Sequence, residues 1–267
     1  MLSATQVVRK RTDAGQALPT VWDSFAKKKI VFRRGQLHLT AAAPGTGKSV
    51  LALALAVHMQ VPTLYVSLDG DELTVGTRLV QMATACDTAT AEQAVLGKTD
   101  LALQAARAVP WLTFTYPSAA STEDIAQHVW AYAEAHGDWP HLVVVDNLSD
   151  VADEDSAAEL SRAMDDLTIL GRQTGAAVHV LHHVGGDYED GDRVVPLSGL
   201  RYKVGKKPSL ALTISRGGQE GQAFVSVVKN RFGPVDPSGL AVRAELRMDF
   251  STMQVTNPTW APEWRHS

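Results

Sequence analysis

Short, nearly continuous apolar runs recur along the chain at 36–41, 63–68, 112–116, 142–146 and 177–182. Between them lie longer stretches of helix-forming residues: 48–59, 72–85, a segment from Ser121 or Thr122 to about His136, and 156–174. The first kind predicts strands, and the run at 142–146 is apolar enough for a central strand buried on both faces. The second kind predicts helices. Residues 88–109 read as helical but broken at Gly97. Glu123 and Asp124 fall in the first turn of the helix that Ser121 or Thr122 caps, where the helix dipole favours acids. Strands alternating with helices predict an α/β fold, with a mostly parallel central sheet flanked by helices and right-handed crossovers.

After His183 the pattern changes. Residues 184–208 are rich in Gly, Asp and Lys without a clear period, which predicts a long mobile loop. Strands follow at 210–215, 222–230 and 241–249, with turns at Gly217-Gly218 and 233–239, and predict an antiparallel C-terminal extension of the sheet. Residues 1–34 are polar and basic, with a short helix expected within 4–17 and Trp22 and Phe25 as apolar anchors. They read either as a surface lead-in or as an arm that docks on a neighbouring subunit. The pattern divides the chain into a 1–34 arm, one domain over 35–255 and a Pro-rich tail over 256–267.

Composition narrows this picture. At 267 residues and 45% apolar content the chain can build a core without disulfide or metal staples. The lone Cys86 has no internal partner, which fits a reducing compartment. No apolar signal core opens the sequence, and the longest apolar run, 50–57, is far short of the ~20 residues that cross a bilayer. A cytoplasmic location is expected. A net charge of -4 excludes binding to nucleic acid through bulk positive charge but leaves room for a local basic track.

The chemistry starts after the first strand. Ala42-Ala43-Pro44-Gly45-Thr46-Gly47-Lys48-Ser49 fits the Walker A pattern with Ala at the first Gly position, between a strand and a helix as the motif requires. Gly45 and Gly47 let backbone N–H groups turn inward around a β-phosphate, and the helix N-terminus through Val50 adds positive potential. Lys48 neutralises β- and γ-phosphate oxygens, and the Ser49 hydroxyl suits Mg²⁺. A P-loop also needs an acid at the end of a neighbouring strand, and Asp146, closing the run Leu142-Val143-Val144-Val145, supplies a Walker B carboxylate. The guanine-reading N-K-x-D is missing. Three other segments stand out: Ser67-Leu68-Asp69 at a strand end, His182-His183 at another, and Lys229-Asn230-Arg231-Phe232-Gly233-Pro234. Adjacent His182 and His183 point to opposite faces of a strand, which argues against a zinc pair.

With these segments the chain resembles the RecA-like P-loop ATPases, and among them the motor domain of DnaB-like hexameric replicative helicases. The resemblance covers about residues 30–255. It implies ATP and Mg²⁺ as cofactors. It also implies a general base at Asp69, where the family carries Glu; the shorter side chain leaves Asp71 and Glu72 as alternatives. His183 falls at the family's polar sensor position. Lys229 and Arg231 match the cations that reach the γ-phosphate held by the adjacent subunit, so the resemblance implies a homo-oligomer, in this family a hexamer, that hydrolyses ATP poorly as a monomer. About 35 residues precede the P-loop, so the family's N-terminal primase-contacting domain is not expected and contact with a primase or loader is left open. A short phage- or plasmid-encoded helicase in a bacterial or phage-infected cell fits this form.

The family grips single-stranded DNA with loops facing a central pore. Here the candidates are the residues after Asp146 and the basic half of the 184–208 loop, where Arg201, Lys203, Lys206 and Lys207 surround Tyr202. Such cations track phosphates and such an aromatic stacks on a base, though Asp187, Glu189, Asp190 and Asp192 just upstream would repel DNA. Two other readings remain: a RecA-, KaiC- or RadA-like ATPase in a regulatory or recombination-mediator role without unwinding, and a small-molecule P-loop kinase.

Overall fold

Nine strands form one sheet in the computed structural model, which describes residues 15–117, 120–151 and 156–258 without the side chains of 201–203. The strands are β1 (Leu37–Ala42), β2 (Thr63–Ser67), β3 (Leu112–Thr115), β4 (Leu142–Asp146), β5 (Ala177–His183), β6 (Leu210–Arg216), β7 (Gln222–Asn230), β8 (Arg243–Asp249) and β9 (Gln254–Thr256). Their order is β3-β2-β4-β5-β1-β6-β7-β8-β9. The strands from β3 to β6 in that order are parallel, and β7, β8 and β9 are antiparallel to their neighbours.

The helices are α1 (Asp23–Lys27), α2 (Lys48–Met59), α3 (Glu72–Thr84), α4 (Thr88–Leu96), α5 (Asp100–Arg107), α6 (Thr122–His136) and α7 (Ala157–Thr174). Local signals account for their ends. Ser121 and Asp124 close a reciprocal capping box at the start of α6, and Gly137 ends it at φ +77°. Ser156 caps α7 by accepting from the Glu159 amide, and Gly175 stops it at φ +74°. The break at Gly97 separates α4 from α5.

The sheet buries both faces, as the apolar run of β4 requires. Leu142 and Val144 join α1, α2 and α3 in one core, and Val143 and Val145 join α6 and α7 in the other. Both sides of α2 are buried from Val50 to Val57, because it is packed between the sheet, α3 and the C-terminal strands.

Three regions differ from the sequence reading. The 184–208 segment is not an open loop: it folds into short 3₁₀ turns at Gly186–Tyr188, Leu197–Gly199 and Arg201–Lys206. Its Val195, Leu200 and Val204 are buried, and they show no helical or strand period because Val195 lies in irregular backbone before the second turn, Leu200 between the second and third, and Val204 inside the third. Strand β9 adds an edge that the pattern did not indicate. The described part of the basic N-terminal segment packs on its own chain: Leu18, Trp22, Phe25, Ile30 and Phe32 are buried with α2 and β8, and the Trp22 indole donates to the Val255 carbonyl at 3.0 Å. Residues 1–14, including most of the expected 4–17 helix, and 259–267 of the tail lie outside the described residues. Among the described residues no helix is long and apolar enough to cross a membrane.

This topology gives the sheet two working edges. The parallel strands end together at one edge, where β1 leads into α2. Strand β7 runs the other way, so its last residue, Asn230, pairs with Leu210 at the start of β6, and Leu210 in turn pairs with His38 near the start of β1.

Candidate functional site

The first edge is built around the turn from β1 to α2. Gly45 and Gly47 adopt left-handed backbone at φ +69° and +98°. A Cβ on Gly47 would lie 2.9 Å from Met248 Sδ and 3.1 Å from the Phe250 ring, so any other residue would both strain this left-handed backbone and push those side chains aside. Thr46 is buried, with no partner for its hydroxyl among the described residues. Pro44 and Gly45 are exposed, Ala43 is buried, and Ser49 is half-buried at the start of α2. The Val50 side chain belongs to the core, so only its backbone faces the turn.

Lys48 is 6% exposed, and its Nζ lies 3.3 Å from His183 Nε2. Asn147 Nδ2 lies at the same 3.3 Å from that nitrogen. The Asn147 Oδ1 is engaged by the Ser149 amide at 2.9 Å and its hydroxyl at 2.6 Å, so the Asn147 amide presents N–H to the imidazole. An ammonium and an amide N–H both donate, which makes His183 Nε2 the acceptor of both. The strand order explains the bridge. The sequence reading put Asp146 on a strand next to β1, but β5 lies between β1 and β4. His183 at the end of β5 therefore sits between the P-loop lysine and the Walker B segment.

Asp146 is 5% exposed. Its Oδ2 accepts from the Tyr65 hydroxyl at 2.8 Å, and its Oδ1 is buried without a partner among the described residues. Burial and then the Asp146 charge hold the Tyr65 hydroxyl well above the usual tyrosine pKa. Burial pulls the Lys48 pKa down, and Asp146, Asp69 and Asp150 oppose it in that order. Asp69 is exposed, with its amide 3.3 Å from the Asp146 carbonyl. Of its two alternatives, Asp71 caps α3 by accepting from the Thr74 amide at 2.8 Å, and the Thr74 hydroxyl and then that amide lower its pKa, while Glu72 is exposed in the first turn. Asp69 is the second of the acids that raise the Lys48 pKa, after Asp146.

Three features of this edge were not singled out from sequence. Asp150, whose pKa is raised by burial and then by Asp69, adds its charge to those acting on the same lysine. Its only signal is an acid four residues beyond Asp146. Arg216, at the end of β6, donates to the Gly45 carbonyl at 3.3 Å and the Asp190 carbonyl at 3.4 Å. Phe250, 42% exposed just after β8, lies against Gly47. The last two are strand-end residues, recognisable only once β6 and β8 are known to end beside the P-loop.

The second edge carries Lys229 and Arg231. Lys229 Nζ donates to the Gly205 carbonyl at 3.0 Å and to the Lys206 carbonyl, and Arg231 Nη2 donates to the Lys207 carbonyl at 3.3 Å. Burial, then the Arg231 charge, lowers the Lys229 pKa to about 8. Lys206, Lys207, Arg231 and Arg172 line a cleft of about 340 Å³ on this edge with Asp165 and Ser209. Lys206 is exposed, whereas Lys207 is paired with Asp165. The side chains of Arg201, Tyr202 and Lys203 lie outside the described residues. The acidic half of the segment runs to the first edge instead, where a Cβ on Gly191 would lie 2.6 Å from Thr46 Oγ1.

The glycine-cradled turn, the buried lysine and the Walker B carboxylate, set on this strand order, define a RecA-like P-loop ATPase fold. The chain belongs to the AAA domain family, whose model matches residues 28–188. It is 38% identical to the Gene 65 protein of Mycobacterium phage L5, covering 96% of this chain and 99% of that protein. It is 36% identical to the Gene 65 protein of Mycobacterium phage D29 over 82% of this chain and 98% of the relative. Among solved structures, one ATPase domain matches with a TM-score of 0.75 at 16% identity and 95% of each chain covered. A DnaB-like replicative helicase, described with its interactions with primase, matches at TM-score 0.76 and 18% identity over 90% of this chain and 62% of that one. The RadB recombinase matches at TM-score 0.62 and 20% identity over 90% and 99%.

Proposed function

We propose that this chain is an ATP-driven translocase of the helicase type that acts on single-stranded DNA as a ring, with each ATP site completed by the neighbouring copy. The observation that carries the reading is the separation of Lys48 and Arg231 onto opposite edges of one sheet. Lys229 and Arg231 cannot turn to their own P-loop across the width of the sheet, but a head-to-tail neighbour would bring them to it. A ring of six copies closes such a heterologous contact.

The residues present fit ATP with Mg²⁺. The Asp146 Oδ1, buried without a partner among the described residues, and Ser49 at the start of α2 suit the ion or its water shell. Gly45 and Gly47 shape the turn for a phosphate, and Arg216 and Phe250 flank it where a base would lie. Mg²⁺, when bound, adds positive charge at the β- and γ-phosphate oxygens. Lys48 neutralises those oxygens directly, and Asp69 orients the attacking water. His183 holds Lys48 and Asn147 in register. Arg231 of the neighbouring copy offsets charge on the γ-phosphate, which in related chemistry is worth ~10³–10⁵ in rate. Lys206 and Lys207, with Arg201, Tyr202 and Lys203 just before them in sequence, are the proposed DNA contact, and an infected bacterial cytoplasm is the proposed setting, in keeping with the phage origin of the relatives.

The test is ATP hydrolysis across a protein concentration series, with and without single-stranded DNA. The expected result is a specific rate that rises with protein concentration and again with DNA. A rate indifferent to both would sink the helicase reading. The second reading, a RecA-like ATPase without unwinding, draws on one observation: Asp165 already pairs with Lys207 at the proposed DNA contact. It predicts a rate that follows protein concentration but not DNA.

A further inference from the structure

Asp146 makes asymmetric contacts. Its Oδ2 is held at 2.8 Å by the Tyr65 hydroxyl, while its Oδ1 has no partner among the described residues, although both atoms belong to a side chain that is 5% exposed. Buried polar atoms in folded proteins are nearly always bonded, so a buried oxygen left open marks a place where something else binds. The register shows how the contact arises. Tyr65 pairs with Val144 across the parallel β2–β4 ladder, and Asp146 lies two residues further along β4, on the same face. A tyrosine is long enough to reach that diagonal neighbour. Ser67, which pairs directly with Asp146, is unavailable, because its hydroxyl donates to the Gly70 carbonyl at 2.7 Å. The Tyr65 ring is fixed in turn, 2% exposed, with its centroid 5.7 Å from that of Phe114.

We infer that Tyr65 is a positioning residue for the Walker B carboxylate: by binding Oδ2 it turns Oδ1 toward the place of Mg²⁺ and keeps it there. The role rests on the nucleotide reading above but adds a residue to it. Tyr65 touches neither phosphate nor ion. It acts through Asp146, as hydrogen-bonded partners of carboxylate ligands do.

The experiment is Tyr65→Phe, which removes one oxygen and keeps the ring against Phe114. Binding of a fluorescent ATP analogue is titrated with Mg²⁺ and compared with binding in EDTA, and the melting temperature is followed in parallel. The expected result is a Mg²⁺ midpoint raised about tenfold or more, the usual effect of losing such a partner, with binding in EDTA kept within about twofold. A partly unfolded variant would lose amplitude without moving the midpoint, so the midpoint separates positioning from folding. In the Asp146→Asn background the same substitution should shift the midpoint no further. An unmoved midpoint in Tyr65→Phe, an equal loss with and without Mg²⁺, or an additive shift in the double variant overturns the role of Tyr65 and leaves the nucleotide site standing. A wild-type chain that binds no nucleotide at any Mg²⁺ concentration overturns both.

Discussion

The two edges of the sheet are built on opposite plans. At the P-loop edge Lys48, Asn147, Tyr65 and Asp146 are buried and hold one another in place: Lys48 and Asn147 meet on the half-buried His183, and Tyr65 meets Asp146. At the other edge the cations are held by backbone carbonyls of one short segment, with Arg231 exposed and Lys229 half-buried. A prebuilt, water-poor half-site suits groups that must bind a polyanion in fixed geometry. Cations resting on replaceable carbonyls suit groups that leave for another partner. The N-terminal segment supports this second edge: the Lys29 carbonyl accepts from Asn230 at 3.3 Å, and the Arg33 guanidinium lies 5.0 Å over the Phe232 ring. The basic residues near the end of that segment therefore brace the turn that carries Arg231 within the same chain.

The sharpest way to break the comparison is to disable each edge separately. Lys48→Ala and Arg231→Ala should each lower ATP hydrolysis by about 10³ or more. Arg231→Ala should still bind nucleotide, because among the described residues its side chain donates to the Lys207 carbonyl at the other edge. Mixing the two variants should restore part of the rate, since some interfaces then combine an intact Lys48 with an intact Arg231. Two inactive proteins that stay inactive when mixed in every ratio, while still assembling, would show that the edges do not complete one site.

The two plans were also unequally legible. The P-loop turn, the Walker B strand and the helix caps follow from neighbours within a few residues, and the structure places them at the boundaries that local chemistry requires. The order of strands is not local. Nothing near Asp146 in sequence indicates that β5 intervenes before β1, so His183 could be named as a sensor but not seen as the link between Lys48 and Asn147. Tyr65 was invisible for the same reason: its acceptor lies 81 residues away, and in sequence it is one more apolar position in a strand. The 184–208 segment failed differently. Of its buried Val195, Leu200 and Val204, only Val204 lies within a 3₁₀ turn, and the other two lie in irregular backbone before and between turns, so no period links them.

A smaller effect should separate the edges by pH. Burial, then Arg231, lowers the Lys229 pKa to about 8, so its charge is present below that pH and is lost as pH rises through it. If hydrolysis depends on that cation, the rate should fall about tenfold between pH 7.5 and 9 on an ideal titration. Lys229→Arg, which stays charged, should move this limb upward whatever it does to the absolute rate. Lys48, with a pKa also lowered by burial, is the competing source of such a limb. A limb unchanged in Lys229→Arg would assign it to the P-loop edge.

The smallest effect concerns stability near the starts of β1 and β5, toward the second edge. His38 and His179 are paired in the β1–β5 register, with the Phe32 ring 5.1 Å and 4.9 Å from them. Burial lowers both pKa values to about 3, and the His179 charge is the next cause for His38. The folded chain keeps both rings neutral where the unfolded chain would protonate them at about 6.5, so the unfolded state binds more protons between pH 6.5 and 3. Stability is therefore complete above pH 6.5 and declines as pH falls through that window. At pH 6 the loss should be about 1 kcal/mol per histidine, growing by up to ~1.4 kcal/mol per further pH unit. Thermal melts of the wild type should show this decline, and His179→Gln, which keeps a polar partner for Thr40, should make it shallower. A wild-type melting temperature that stays level from pH 7 to 5 would mean that acid reaches neither ring.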